Sequence, residues 1–222
     1  MKKVISFSLW GDKPIYNIGA IKNAQIAKII YPGWICRYHC GKTTPEETIN
    51  ELRLMNNTEI VVRDEDCNWT GMFWRFEDAS DPEVDIMLSR DCDSRLSERE
   101  ALAVKEWESS DKGFHIMRDH PYHGVPILGG MWGAKKGTIS NILELINSYV
   151  KGDFWQVDQN FLREVVYPLV KDNSFVHDEF FQIIPFPSKR VGYNFIGQVY
   201  DENDETVEEH LEIIKKHLER TR

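Results

Sequence analysis

The first half of the chain alternates between short apolar, β-rich runs and helix-like stretches, and this rhythm constrains the fold more than any other feature. Residues 4–9, 34–38, 59–63 and 84–89 read as strands, and residues 15–30, 45–55 and 97–109 as helices. The punctuation agrees: Gly11, Asp12 and Pro14 make a turn, and Pro32-Gly33 ends the first helix. Pro45 starts the second, with Thr44 as its expected cap, and Ser97 with Glu100 has capping-box spacing. Residues 71–76 are aromatic and helix-like. Strands alternating with helices imply parallel pairing and right-handed crossovers. The expected fold is therefore α/β, a Rossmann-type mixed, mainly parallel sheet flanked by helices. A length of 222 residues fits a single domain.

The second half is less regular. Residues 114–117 and 175–184 read as strands, and 138–149 and 157–170 as helices. Gly129, Gly130 and Gly133 in an apolar run place backbone close to a ligand or another strand. The last helix is the clearest: Val207, Leu211, Ile214 and Leu218 form one apolar seam on a charged surface, suited to packing rather than chemistry.

The fourth strand runs into Arg90-Asp91-Cys92-Asp93. Two carboxylates one residue apart at a strand end project into a crevice and repel each other unless a cation lies between them. Hard oxygen ligands suit Mg²⁺ or Mn²⁺, and such an ion holds a diphosphate. Asp64-Glu65-Asp66 has the same spacing after the third strand, so spacing alone decides nothing. Topology separates the two. If the sheet winds outward from strand one through two and three, with strand four on the other side of strand one, the switch-point crevice lies at Asp91 and Asp93. Asp64 and Asp66 then fall at the far edge.

Composition narrows the partners. A formal charge of −9 disfavours a nucleic-acid groove or an anionic membrane surface. No apolar run of about 18 residues is present to span a bilayer, and the start lacks a signal-peptide pattern. Four scattered cysteines suit a reducing compartment, so a cytoplasmic location is expected. Cys36, His39 and Cys40 raise the idea of structural zinc, but no fourth ligand is evident.

The order of several short motifs resembles nucleotide-sugar glycosyltransferases of the GT-A class with a DXD motif. They are residues 6–11 (SFSLWG), 90–97 (RDCDSRLS), 117–121 (MRDHP), 127–133 (ILGGMWG) and 157–162 (VDQNFL). Within that class the chain is similar to small domains encoded by large algal DNA viruses and bacteria. The resemblance implies a GT-A-like fold and transfer of a hexosyl or deoxyhexosyl group from a nucleotide-diphosphate sugar, UDP-linked by preference. The acceptor would be a glycan, a glycoprotein or another hydroxyl compound, and the cofactor Mn²⁺ or Mg²⁺. It also implies a nucleotide-binding half over about residues 1–95, a sugar and acceptor half over about 96–203, and a packing helix over about 205–220.

Residue by residue, the resemblance gives Ser8, Leu9 and Trp10 to the nucleoside, with Tyr16 as a stacking partner. Asp93 would bind the metal, Asp91 the ribose or the metal, and His177 would be a third ligand. Arg75, Lys135, Lys136, Lys189 and Arg190 are candidate phosphate contacts, and Gly129 and Gly130 would leave room for the donor sugar. Asp158, then Asp119, are the candidate catalytic carboxylates. His120, Tyr122 and His123 are expected on the acceptor side.

Two other readings compete. A nucleotidyltransferase on a related sheet is disfavoured because the loop after strand one, residues 10–14, carries one glycine and one lysine rather than a glycine-rich basic cradle. A carbohydrate- or Ca²⁺-binding module without turnover is the other.

Overall fold

The computed structural model describes residues 1–65, 68–150, 152–181 and 183–220. Asp66, half of the second aspartate pair, lies outside the described residues. Among them, seven strands form one mixed sheet in the order β3-β2-β1-β4-β6-β5-β7. β1 (Lys3–Leu9), β2 (Ile35–Cys40), β3 (Thr58–Val62) and β4 (Ile86–Arg90) run parallel. α1 (Pro14–Ile30) and α2 (Glu46–Arg53) make the first crossovers, and α3 (Glu98–Glu108) follows β4. β6 (Trp132–Lys135) runs antiparallel between β4 and β5 (Phe114–Arg118), and β7 (Ser174–Asp178) pairs parallel with β5. The order expected for the first four strands is the order observed. β1 lies between β2 and β4, so the chain leaves it in opposite directions and a cleft opens at the strand ends.

Alternation along β1 builds the core on both faces. Ile5, Phe7 and Leu9 pack under α1 with Ala20, Ala24, Ala27 and Trp107. Val4 faces the other way, into a cluster with Phe73, Phe76, Trp132 and Phe161. Cys36 and Cys40 belong to the α1-side core, and burial pushes both thiols up to about 12, which suits packing rather than metal ligation.

Several boundaries differ from expectation for local reasons. Thr44 does not cap α2; its hydroxyl donates to the Leu9 carbonyl at 3.0 Å and ties the α2 entry to β1. The aromatic stretch is a 3₁₀ helix over Trp69–Ser80, capped by Asn68, whose Oδ1 accepts from the Thr70 N–H at 2.9 Å. β7 stops at Asp178 because that carboxylate accepts from the Phe180 and Phe181 N–H groups at 3.0 and 2.7 Å, turning the chain. The helix expected over 138–149 is shorter, α4 (Ile142–Ser148).

The helix over 157–170 is not uniform. α5 (Val157–Phe161) passes through a π-helical turn (Leu162–Val166) into α6 (Tyr167–Val170). Pro168 explains the widening: it has no N–H, and its ring would strike the Glu164 carbonyl in a regular helix. α7 (Glu208–Arg220) buries Ile214, as its seam requires, although Val207 precedes the helix and is 41% exposed. Among the described residues no helix is long and apolar enough to cross a membrane.

Four of the buried histidines resist protonation in the folded chain. Burial holds His115, His120 and His177 below the ordinary histidine range and His123 at about 3. The unfolded chain takes up these protons near pH 6.5 and the folded chain does not, so stability is complete above 6.5 and falls as pH drops. For His123 the loss continues to about pH 3, at about 1.4 kcal/mol per pH unit. Denaturant melts between pH 7 and 5 should show a steep loss, and His123→Asn should reduce its slope; an unchanged slope would place His123 outside this linkage.

Candidate active site at the sheet switch point

Ser8, Leu9, Trp10, Gly11, Asp12, Lys13, Tyr16, Trp69, Met72, Arg75, Asp91, Cys92, Asp93, Gly197 and Val199 line a cleft of about 360 Å³ at the ends of β1 and β4. That is within the range of small-ligand sites. Most of the residues assigned to the nucleoside and the metal therefore meet there. The floor is held from behind. Asn17 donates to the Gly11 and Lys13 carbonyls, both at 3.0 Å, and fixes the loop after β1. Ser8 has a structural task besides lining the cleft, since its Oγ accepts from the Arg75 N–H at 3.1 Å. The Trp10 ring lies over Gly71, where a Cβ would meet it at 3.2 Å, and edge-on to Trp74.

The Asp91-Cys92-Asp93 turn is pinned on both sides by glycines. A Cβ at Gly19 of α1 would lie 2.0 Å from the Cys92 carbonyl oxygen, and one at Gly130 would lie 2.0 Å from Asp91 Oδ2. Asn23, fully buried in α1, donates to the Ser94 carbonyl at 2.8 Å and accepts from the Leu96 N–H at 3.0 Å, clamping the same turn. The sequence reading missed Gly19 and Asn23, because in a helix they read as a propensity defect and a surface amide. Gly130→Ala should push Asp91 out of place and cut turnover by about 10²-fold, with stability loss as the secondary effect. Unchanged kinetics in a folded variant would show that Asp91 tolerates the shift.

The charges are unevenly balanced. Arg75 is buried; it forms ion pairs with Asp91 and with Asp158, whose Oδ2 lies 2.9 Å from its Nη2. Asp158 is 2% exposed, and its other oxygen accepts from the Gln159 N–H. Burial raises its pKa against the pull of Arg75. Asp93 has no such partner. Burial first, and Asp91 second, push its carboxyl up to about 6. Arg75 and Arg95 offset this only in part, and neither pairs with it: Arg75 is held by Asp91 and Asp158, and Arg95 by Asp204. Tyr16 faces both aspartates, and burial together with their charge raises its phenol.

This donor set suits a hard divalent cation. It offers carboxylate oxygens, space on the cleft side, and a carboxylate, Asp93, that forms no ion pair among the described residues. Among the described residues no three His, Cys, Asp or Glu side chains converge as a ready-made metal set. A site of this kind leaves the remaining positions to phosphate oxygens and water.

The other assignments fall elsewhere. Gly129, Gly130 and Asp158 do not line the cleft but stand behind it, with Ser89 Oγ donating to the Gly129 carbonyl at 2.7 Å. His177 is not beside the aspartates. It lies on β7, three strands from β4, with its ring nitrogens engaged by His115 at 2.8 Å and Glu106 at 3.1 Å. Asp119 is not an available base. It is fully buried and receives both arms of Arg99, Arg190 and the Ile196 N–H, which fill its lone pairs.

His120 and His123 shape a turn rather than a binding surface. His120 accepts from the Tyr122 N–H and contacts the His210 carbonyl, and His123 accepts from the Asp119 N–H. Tyr122 points outward. Lys135 bonds the Glu108 and Ser110 carbonyls and Lys136 the Pro82 carbonyl, while Arg190 is spent on Asp119 and the Asn194 carbonyl. Lys189 is not among the cleft residues. The cleft cations are Arg75 and Lys13. The late chain also contributes: the Tyr200 N–H donates to the Asp93 carbonyl at 2.8 Å, and Val199 bridges Ser94.

No family model matches the sequence, and no curated protein matches it either. Solved structures do resemble it. A glycosyltransferase involved in the glycosylation of the major capsid of PBCV-1 is 14% identical, with a TM-score of 0.54 over 80% of this chain and 82% of that one. The 4-diphosphocytidyl-2C-methyl-D-erythritol synthase from Anaerococcus prevotii is 10% identical, with a TM-score of 0.50 over 98% of each chain. At these identities the likeness is one of fold, and the chain has the GT-A-like α/β fold.

Proposed function

We propose that this chain is a metal-dependent glycosyltransferase that moves a sugar from a nucleotide-diphosphate donor, UDP-linked by preference, to a hydroxyl acceptor on a glycan. One observation carries the reading: Asp93 stands beside Asp91 at the switch-point cleft with no ion-pair partner among the described residues. Trp10, Leu9 and Tyr16 offer apolar and aromatic surface for the nucleoside. Asp91 and Asp93 would hold Mn²⁺ or Mg²⁺, which when bound offsets the charge that develops on the departing diphosphate. Arg75 and Lys13 add fixed positive charge at the same end. Asp158, with both oxygens engaged, acts by holding Arg75 rather than by taking a proton, and Gly129 and Gly130 allow that packing.

A second reading has one observation in its favour, the full-length fold likeness to a nucleotidyltransferase. The cleft weighs against it, because the loop after β1 carries a single glycine and a single lysine. The experiment is a donor screen in Mn²⁺ with and without chelator. Nucleoside diphosphate released from a sugar donor and suppressed by chelator is expected. Pyrophosphate released from a nucleoside triphosphate with a sugar phosphate would establish the second reading, and metal binding without turnover of either would leave a binding module.

A further inference from the structure

Beside the cleft, three large aromatic side chains stay exposed where burial would be expected. Trp155 is 66% exposed, Phe154 45% and Trp69 41%. Of the three, Trp69 lines the cleft itself. Residues 153–158 are tied to the cleft at both ends. Asp153 Oδ1 accepts from the Trp69 N–H at 3.4 Å, and Asp158 holds Arg75. Trp155 is two peptide links from one tether and three from the other, so its Cα lies within about 8 Å and about 11 Å of theirs. Gln156 follows with φ of 74°, which a residue with a side chain rarely adopts, and then α5 begins.

We propose that Trp155, flanked by Phe154 and Trp69, is the platform on which a neutral sugar ring of the glycan acceptor stacks. The proposal rests on the glycosyl-transfer reading and names the acceptor's chemistry. A pyranose presents an apolar face of C–H groups and an edge of hydroxyls. It therefore suits an exposed indole in a segment that also carries hydrogen-bonding side chains, here Asp153 and Gln156. Residues 152–158 carry only carboxylates as charged side chains, which disfavours a phosphate-rich partner. Transfer needs an acceptor hydroxyl within about 3.5 Å of the reacting carbon, and the two tethers, Asp153 to Trp69 and Asp158 to Arg75, keep this segment next to residues that line the cleft.

The test is an array of neutral oligosaccharides of varied sugar and linkage, probed with the labelled full chain. Trp155→Ala, Trp155→Phe and Leu54→Ala are probed alongside, the last altering an 88% exposed side chain on α2's far end. Binding to a subset of the array is expected. Trp155→Ala should weaken it at least tenfold, Trp155→Phe should retain most of it, and Leu54→Ala should not change it. Melting curves confirm folding, which an exposed substitution leaves intact. Binding to no member, or equal binding by Trp155→Ala, overturns the proposal. So does self-association of the parent protein that Trp155→Ala abolishes, since the patch then belongs to a second copy. The donor screen judges the transfer reading separately. Donor turnover with a silent array removes only the platform, and Trp155-dependent sugar binding without donor turnover removes only the transfer.

Discussion

Asp93→Asn should lower metal-dependent turnover by about 10³-fold and at the same time raise the stability of the metal-free protein. The two effects have one cause. The Asp93 carboxyl, pushed up to about 6 by burial and by Asp91, is held ionised at neutral pH with no cation paired to it among the described residues. A carboxyl whose folded pKa lies above its unfolded value costs stability as pH rises between the two, here from about 3.8 to about 6. Asparagine keeps the shape and removes the charge. The expected gain is about 3 kcal/mol at pH 8, shrinking toward pH 4. Mn²⁺ should raise the melting temperature of the parent protein but not of the variant. Thermal melts at the two pH values, with and without Mn²⁺, check all of this. A variant that is less stable yet fully active would remove the cation from the proposal.

Arg75→Met should be the most destabilising substitution in the cleft. It leaves Asp158, 2% exposed, without the guanidinium that makes its ionisation tolerable, and it frees Asp91 to repel Asp93. Removing one partner of a buried ion pair typically costs about 3–5 kcal/mol. Arg75→Lys should recover only part, since one ammonium cannot reach two carboxylates as a fork does. The double variant Arg75→Met, Asp158→Asn should regain stability relative to Arg75→Met alone, because the stranded charge is gone. Denaturant unfolding of Arg75→Met, of Asp158→Asn and of the double variant, each against the parent, measures the coupling. Additive losses would mean that Arg75 and Asp158 do not depend on each other.

Much of this arrangement is legible in the chain itself. The βα rhythm predicts parallel pairing of the first four strands, and the order supposed for them, which is the order observed, brings Asp91 and Asp93 to the cleft together with Ser8, Trp10 and Tyr16. What the chain conceals is which polar side chains satisfy one another across long separations. His177 resembles a ligand until its partners, His115 and Glu106, come from β5 and α3. Asp119 resembles a base until Arg99 and Arg190 are seen to surround it. Gly19 and Asn23 are invisible for the complementary reason: their effect lies in how closely α1 approaches a turn some seventy residues away. Pro168 was the readable sign that the helix after Asp158 would not be regular.

That irregularity governs how this part of the chain tolerates changes of length. The π-helical turn Leu162–Val166 accommodates one residue more than a regular helix would. Loss of a single residue there would rotate everything before it by about 100°, swinging the carboxylate away from its guanidinium. An insertion in an exposed loop costs little, whereas this segment is indexed, like one tooth on a gear.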